Sequence, residues 1–539
     1  GTNVNQLHVQ LRDEAGNVSN LSSQDSGQTA ASGCSMGGHG GNASLFALML
    51  VVVALLFRRR RAALSAAVTL GLVVGCTTHK AAALTKGDFA NPQDEIGRYS
   101  DVVIDSGGTV YASAYDDNYG DLVYTTIAAS ALAGTPSWQV IDGVDLTQPP
   151  EMPGGYRFGI TDAGDDVGQY TSLALTSSGK PRIAYYDATN HALKFAVGPR
   201  PFKTFAVDTG SGAEDVGRYA ALSLDKKDVP SIAYVATNIP DGAGFKSELR
   251  VATAKSASPS SSGDWTITVV DTTPITCAGL CADGSACITP AMVNGMTNTD
   301  ASLSTCIQIV AGACTTACSS TQACINAACT TFNPANTAPD LVEGVGLFVN
   351  ARRDSGDNLL LVYYDKEEGE LKLATEANGV WTSSFIDGPT AGVDVGQFAS
   401  AALASDDTLH VAYVDATNST LLYKQVAKGA AAPMTAEVID DGTRSDGTVH
   451  AVGGGVNLIL DAGGNPQVLY QDQTLSDLEK ATRATAWTHS DLNTGGAGYG
   501  FYARQILANG KLYLIDFVYD RSNGPTSPLG TLQFSVSAP

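Results

Sequence analysis

The sequence predicts an all-β protein, a seven-bladed β-propeller of four-stranded antiparallel blades occupying residues 80–539. Three observations predict it. A unit of four short alternating runs recurs seven times, turn residues punctuate it (Gly fills 57 of 539 positions), and the two ends of the array complement each other. Alternating apolar residues broken by Gly, Pro, Asn and Asp mark antiparallel strands joined by tight turns. Radial stacking of such four-stranded units gives a propeller.

The clearest copy runs from Asp165 to Asp208. Its strands are predicted at Tyr170 to Leu175, Arg182 to Tyr186, Leu193 to Val197 and Phe202 to Val207. The second strand with its closing residue recurs at Tyr115-Asp116, Tyr186-Asp187, Tyr364-Asp365, Val414-Asp415, Gln471-Asp472 and Tyr519-Asp520, with Ala236 in the third copy. A Leu follows six residues after the Asp in five copies: Leu122, Leu193, Leu371, Leu421 and Leu478. A Val/Ile-Gly-x-aromatic motif opens the first strand at Ile96, Val167, Val216 and Val395. The seventh copy stops after its third strand, near Val536, and Ala82 to Gly87 is expected to supply the missing strand. Its Asp88 stands eight residues before Ile96, as Asp208 does before Val216. Such closure removes open sheet edges.

Charge excludes one class of partner. The formal net charge is −22, and beyond Cys76 there are 27 basic and 51 acidic residues, a charge of −24. That surface repels phosphate backbones and excludes nucleic acid. It favours cations, basic partners or neutral sugars.

Eight of the ten Cys fall in one stretch, 272–340: Cys277, Cys281, Cys287, Cys306, Cys314, Cys318, Cys324 and Cys329. An even cluster of this kind reads as a small disulfide knob in an oxidising compartment, its pairing open. A zinc site is the alternative, though no His lies in the stretch. This insertion and a second at Gly143 to Ile160 both join a fourth strand to the next first strand. In a propeller those links share one face with the hairpins from strand two to three. That face is where binding residues are expected.

Two further sets are candidates. Glu95, Asp166, Asp215 and Asp394 precede the opening motif and would sit near the channel mouth, either as Ca²⁺ ligands or as turn formers. Trp138, Trp265, Trp381 and Trp487 open fourth strands, where they either stack on sugar rings or pack between blades. No catalytic set stands out: the seven His lack ligand spacing, and no nucleophile elbow or phosphate loop is present. The array resembles sialidases in architecture alone, without their Ser-x-Asp-x-Gly-x-Thr-Trp box.

The first eighty residues carry sorting signals. Residues 1–22 alternate like the closing strands of an Ig-like domain and read as the tail of a truncated one. Within 23–61 come Gly33-Cys34-Ser35, an apolar run from Leu45 to Phe57, and Arg58 to Arg61. This order resembles the MYXO-CTERM sorting tail of myxobacterial surface proteins, which implies processing at Cys34. That family ends at its Arg cluster; here the chain continues. Residues 62–76 form a second apolar run closing in Val73-Val74-Gly75-Cys76, which resembles a lipobox and implies lipidation of Cys76. Two joined reading frames account for the order. A pair of short membrane helices is the alternative, although each run is shorter than the roughly 20 residues a span needs.

These readings together predict a lipid-anchored monomer of the cell envelope, at the outer membrane or cell surface. It would bind a surface protein or glycan without catalysis. A secreted carbohydrate-active enzyme, sialidase-like or another glycosidase or lyase, is the second reading, and a structural envelope lipoprotein the third.

Overall fold

The computed structural model describes residues 95–537 apart from short loop breaks and most of two insertions, 144–163 and 276–340, together with strands Gln10–Arg12 and Val18–Asn20. The chain divides into one unit of residues 1–21 and 84–539 and another of 22–83. The sorting tail, the lipobox, Cys34, Cys76 and the 82–87 strand lie outside the described residues. No described helix is long and apolar enough to cross a membrane.

Among the described residues the fold is all-β and propeller-like. Five four-stranded antiparallel meanders follow one another, with first strands Val167–Leu175, Asp215–Leu224, Val345–Arg353, Val395–Leu403 and Val452–Leu460. We number them sheets two to six. The first sheet (first strand Ile96–Ile104) and the seventh, three-stranded one (first strand Gly498–Ala508) are joined by parallel pairing of Ile96 with Thr531. Each first strand packs against the first strand of the next sheet, and the seventh against the first. The first strands thus make a closed circuit around a central channel.

Two sequence motifs prove to be halves of one contact. The Leu six residues after the Asp is fully buried in the third strand at Leu122, Leu193, Leu371, Leu421 and Leu478. The Gly of the next sheet's opening motif lies against it at the first four, and at the fifth Gly500 lies on Gln471 instead. A Cβ at Gly168 would come within 2.7 Å of the Leu122 Cα, and one at Gly217 within 2.7 Å of the Leu193 Cα. Only glycine admits that approach, and its positive φ (108° and 114°) suits it further.

The aromatic residue two positions later also adopts positive φ, 50–54° at Tyr99, Tyr170, Tyr219, Phe348, Phe398 and Tyr502. The register shifts there in each first strand, which turns the ring into the channel. Successive rings touch, with centroids 4.8 Å apart for Tyr99 and Tyr170, 4.7 Å for Tyr170 and Tyr219, 5.2 Å for Tyr219 and Phe348, and 4.9 Å for Phe348 and Phe398. Tyr502 closes on Tyr99 at 5.2 Å. In the sixth sheet the place falls to Gly455 (φ 58°), so the aromatic collar has one gap.

One boundary differs from expectation. The Cys-rich insertion does not begin at Thr272: the fourth strand of sheet three runs Trp265–Ile275. The reason is a long hairpin between its second and third strands, Pro230–Asp241 and Gly244–Ala254, which gives residues 272–275 partners at 245–248. That hairpin adds a third elaboration to the loop face. Within the insertion, backbone register sets Cys287 opposite Cys306 and Cys324 opposite Cys329 in two short hairpins.

Candidate functional site

The predicted site residues are placed one per sheet junction. Asp166 accepts the Tyr115 hydroxyl at 3.0 Å and Asp394 that of Tyr364 at 2.7 Å. Asp215 receives Arg218 at 3.2 Å, and Glu95 receives Arg98 at 3.5 Å. Burial pushes the carboxyls of Glu95, Asp166 and Asp394 up. Asp166 and Asp394 therefore tie their opening motifs to the preceding sheet, Asp215 and Glu95 each hold an arginine of their own first strand, and the four are not brought together. Among the described residues no three His, Cys, Asp or Glu side chains gather as a metal site.

The tryptophans pack between sheets. Trp265 is buried against Phe195 of the preceding sheet, centroids 5.1 Å apart, and Trp487 meets Tyr423 at 5.3 Å. Trp138 is buried with Phe501 and Phe517 of the seventh sheet, and Trp381 packs on the core shared with sheet three. None of them forms an exposed platform.

A set the sequence reading missed occupies the same face. At five successive junctions an Asp of a fourth strand, its last residue at four of them, accepts a hydrogen bond from a buried Tyr in the next sheet's second strand. The pairs are Asp142 with Tyr185 (2.6 Å), Asp208 with Tyr234 (2.7 Å), Asp271 with Tyr363 (2.7 Å), Asp387 with Tyr413, and Asp440 with Tyr470 (2.9 Å). At the first four a third-strand cation joins the Asp: Lys194, Arg250 at 3.3 Å, Lys372 at 3.6 Å and Lys424 at 2.8 Å. A buried carboxylate beside a hydroxyl donor and a cation is satisfied on every side.

The fifth junction breaks the rule. Glu479 stands where Lys194, Arg250 and Lys372 stand, opposite the buried Tyr in register. The Tyr470 hydroxyl lies 2.7 Å from Glu479 and 2.9 Å from Asp440. A phenol has one proton, so the Tyr470 hydroxyl donates to one of these acids at a time and the other relies on different donors. Burial pushes the Glu479 carboxyl up, opposed by the Tyr470 hydrogen bond and the Arg444 charge.

The missing cation comes from the link to the next first strand. Arg444 reaches Asp440 at 3.1 Å, Glu479 at 3.1 Å and Asp472 at 2.9 Å. A small hairpin holds it, with Thr443 paired to Val449 and the Arg444 N–H donating to the Thr448 carbonyl at 2.9 Å. His450 bonds Asp472 and, with Arg444, holds that carboxyl below its ordinary range despite burial. Around this group opens a cleft of about 410 Å³, lined by Asp440, Asp441, Arg444, Glu479, His489 and Asp491 among others. Its lining is rich in convergent donors and acceptors, as sites for hydroxyl-bearing ligands are. A partial signal was present in the sequence: the residue after the repeated Leu is Lys194 and Lys372 in two copies, Val123 and Leu422 in two others, and Glu479 in the sixth.

No protein-family model and no curated protein matches the chain. Solved structures match weakly. AofleA from Arthrobotrys oligospora is similar at 10% identity and a TM-score of 0.36, over 75% of this chain and 90% of that one. An α-L-arabinanase of Penicillium chrysogenum, complexed with arabinobiose, is similar at 11% identity and 0.38, over 68% and 92%. A leech intramolecular trans-sialidase is similar at 12% identity and 0.35, over 83% and 90%. Likenesses of this size assign neither a family nor an activity.

Proposed function

We propose that the chain is a seven-bladed β-propeller of the cell envelope that binds a glycan, without catalysis, in the cleft between blades five and six. The observation that carries this reading is the replacement of the repeat's junction cation by Glu479, with Arg444 brought in from a loop. A junction serving structure alone needs no such exchange. The cleft is polar, holds carboxylates in excess over its one guanidinium, and lies on the face that carries the long insertions. Neutral or amino sugars fit that chemistry.

A glycan array probed with the full chain, with and without Ca²⁺, tests this. The Glu479→Lys variant places at this position the cation that Lys194 and Lys372 supply at two other junctions. We expect it to keep its melting temperature and to lose at least about tenfold in affinity (roughly 1.4 kcal/mol). Unchanged binding in Glu479→Lys would sink the reading. Asp440 and Glu479, flanking one tyrosine hydroxyl in unlike environments, also suit acid–base work on a glycosidic bond. Release of reducing ends in the same incubations, abolished by Glu479→Gln, would favour the enzymatic reading instead.

We further propose that Cys76 carries a lipid, and that Cys287–Cys306 and Cys324–Cys329 are disulfides. Directly opposed residues of an antiparallel pair have Cα atoms roughly 4.5–5.5 Å apart, within the span of the bond.

A further inference from the structure

The first strands enclose a cavity of about 410 Å³, lined by the rings of the aromatic collar and by three charged residues, Asp101, Arg352 and Arg504. We propose that this cavity binds a small organic anion, a carboxylate or sulfate on a group of monosaccharide size, through Arg352 and Arg504. The site is separate from the cleft between blades five and six.

Arg504 departs from a repeated rule. Two residues beyond the collar, a side chain of each of several first strands accepts a backbone N–H of the next. Asp101 takes Leu173 N at 2.7 Å, Ser172 takes Leu222 N at 3.0 Å, Asn350 takes Ala401 N at 3.2 Å, Ser400 takes Leu458 N at 2.9 Å and Asn457 takes Gln505 N at 2.9 Å. Arg504 holds that place in the seventh strand, where a guanidinium cannot accept. The N–H it would have served, that of Val102, is taken by Asp101 itself at 2.9 Å. The belt of hydrogen bonds therefore gives no reason for an arginine.

Nor is either guanidinium neutralised. Arg504 donates to its neighbour's carbonyl, Ala503, at 3.0 Å, and no other protein acceptor meets it among the described residues. Arg352 is braced by the carbonyls of Ala401 and Ala351, both at 2.9 Å, and by Asn350 at 3.4 Å. Among the described residues no carboxylate lies within ion-pair distance of either, whereas Lys194, Arg250, Lys372 and Arg444 at the junctions are all paired. Asp101 is the one carboxylate whose charge acts on both, without an ion-pair contact, and its two oxygens accept the N–H groups of Val102 and Leu173. Burial also pushes its carboxyl up, toward the neutral form.

The cavity thus keeps at least one uncompensated positive charge inside a chain that is strongly acidic elsewhere. Burying unpaired charge is costly, and a planar guanidinium fork complements a carboxylate or sulfate. The rings of the collar supply an apolar wall to the same cavity.

Titration calorimetry of the full chain with glucuronate and with sulfate, at low and high salt, tests this. We expect saturable binding that weakens with salt and falls at least tenfold in Arg504→Met and Arg352→Met, with folding checked by thermal melting. Arg504→Lys keeps the charge but loses the fork, and it should also lose affinity; it stands in where Arg504→Met does not fold. Glu479→Lys should leave glucuronate binding intact, which separates this site from the cleft. Absence of saturable binding up to millimolar ligand, or equal binding in both arginine variants, would overturn the proposal.

Discussion

Single buried carboxylates decide how this protein answers to pH. Asp516 is 3% exposed, and its one satisfied oxygen accepts Gly500 N at 2.9 Å. Burial pushes its pKa up to about 8. The unfolded chain loses this proton near pH 4, whereas the folded chain keeps it until about pH 8. Between those values the folded state binds more protons, so stability falls as pH rises through that window. Four units set a ceiling of about 5 kcal/mol, reduced in practice by relaxation and water entry. Asp516→Asn keeps the acceptor for Gly500 and removes the titration. Its urea midpoint should therefore fall less between pH 5 and 8 than the parent's; parallel pH curves would exclude Asp516 as the cause.

At the scale of the strand, the decisive feature is how close neighbouring sheets come. Gly168→Ala would put a methyl group 2.7 Å from the Leu122 Cα at φ 108°, with backbone on both sides. We expect a loss of about 3–5 kcal/mol, since neither segment can yield. Gly179→Ala is the control. It has positive φ (75°) but nothing within 4 Å, and should cost only about 1 kcal/mol. Denaturant midpoints of the two variants distinguish close approach from turn conformation. Equal losses would mean that the inter-sheet contact is not what requires Gly168.

For the molecule as a whole, each sheet borrows from the next: a Trp packs backward, an Asp and a Tyr bond across, and a Gly seats on a Leu. The seventh sheet returns to the first, so no sheet in the circuit is complete alone. Mass spectrometry of a non-reduced digest of the mature protein should find Cys287 linked to Cys306, Cys324 linked to Cys329, and a lipidated Cys76 at the N-terminus. Other pairings, or an intact peptide spanning Gly75-Cys76, would refute those assignments.

The repeated elements were legible in the sequence because each obeys a local rule. Period-two alternation set the strands, Gly and Asp the turns, and the Leu and Gly motifs the blade spacing. The candidate sites were not legible, and the reason is physical. Glu479 and Arg444 are 35 positions apart in sequence and meet only because one strand end and one loop flank the same junction. Arg352 and Arg504 belong to first strands on different sheets, and only closure of the circuit sets both in one cavity. The conspicuous Asp and Trp residues proved to be joints between sheets. By itself the sequence determined the all-β repeat and its periods, since those follow from neighbours along the chain. Tertiary structure decided where unpaired charge collects, because charge balance across a junction or a channel is a property of residues brought together from far apart.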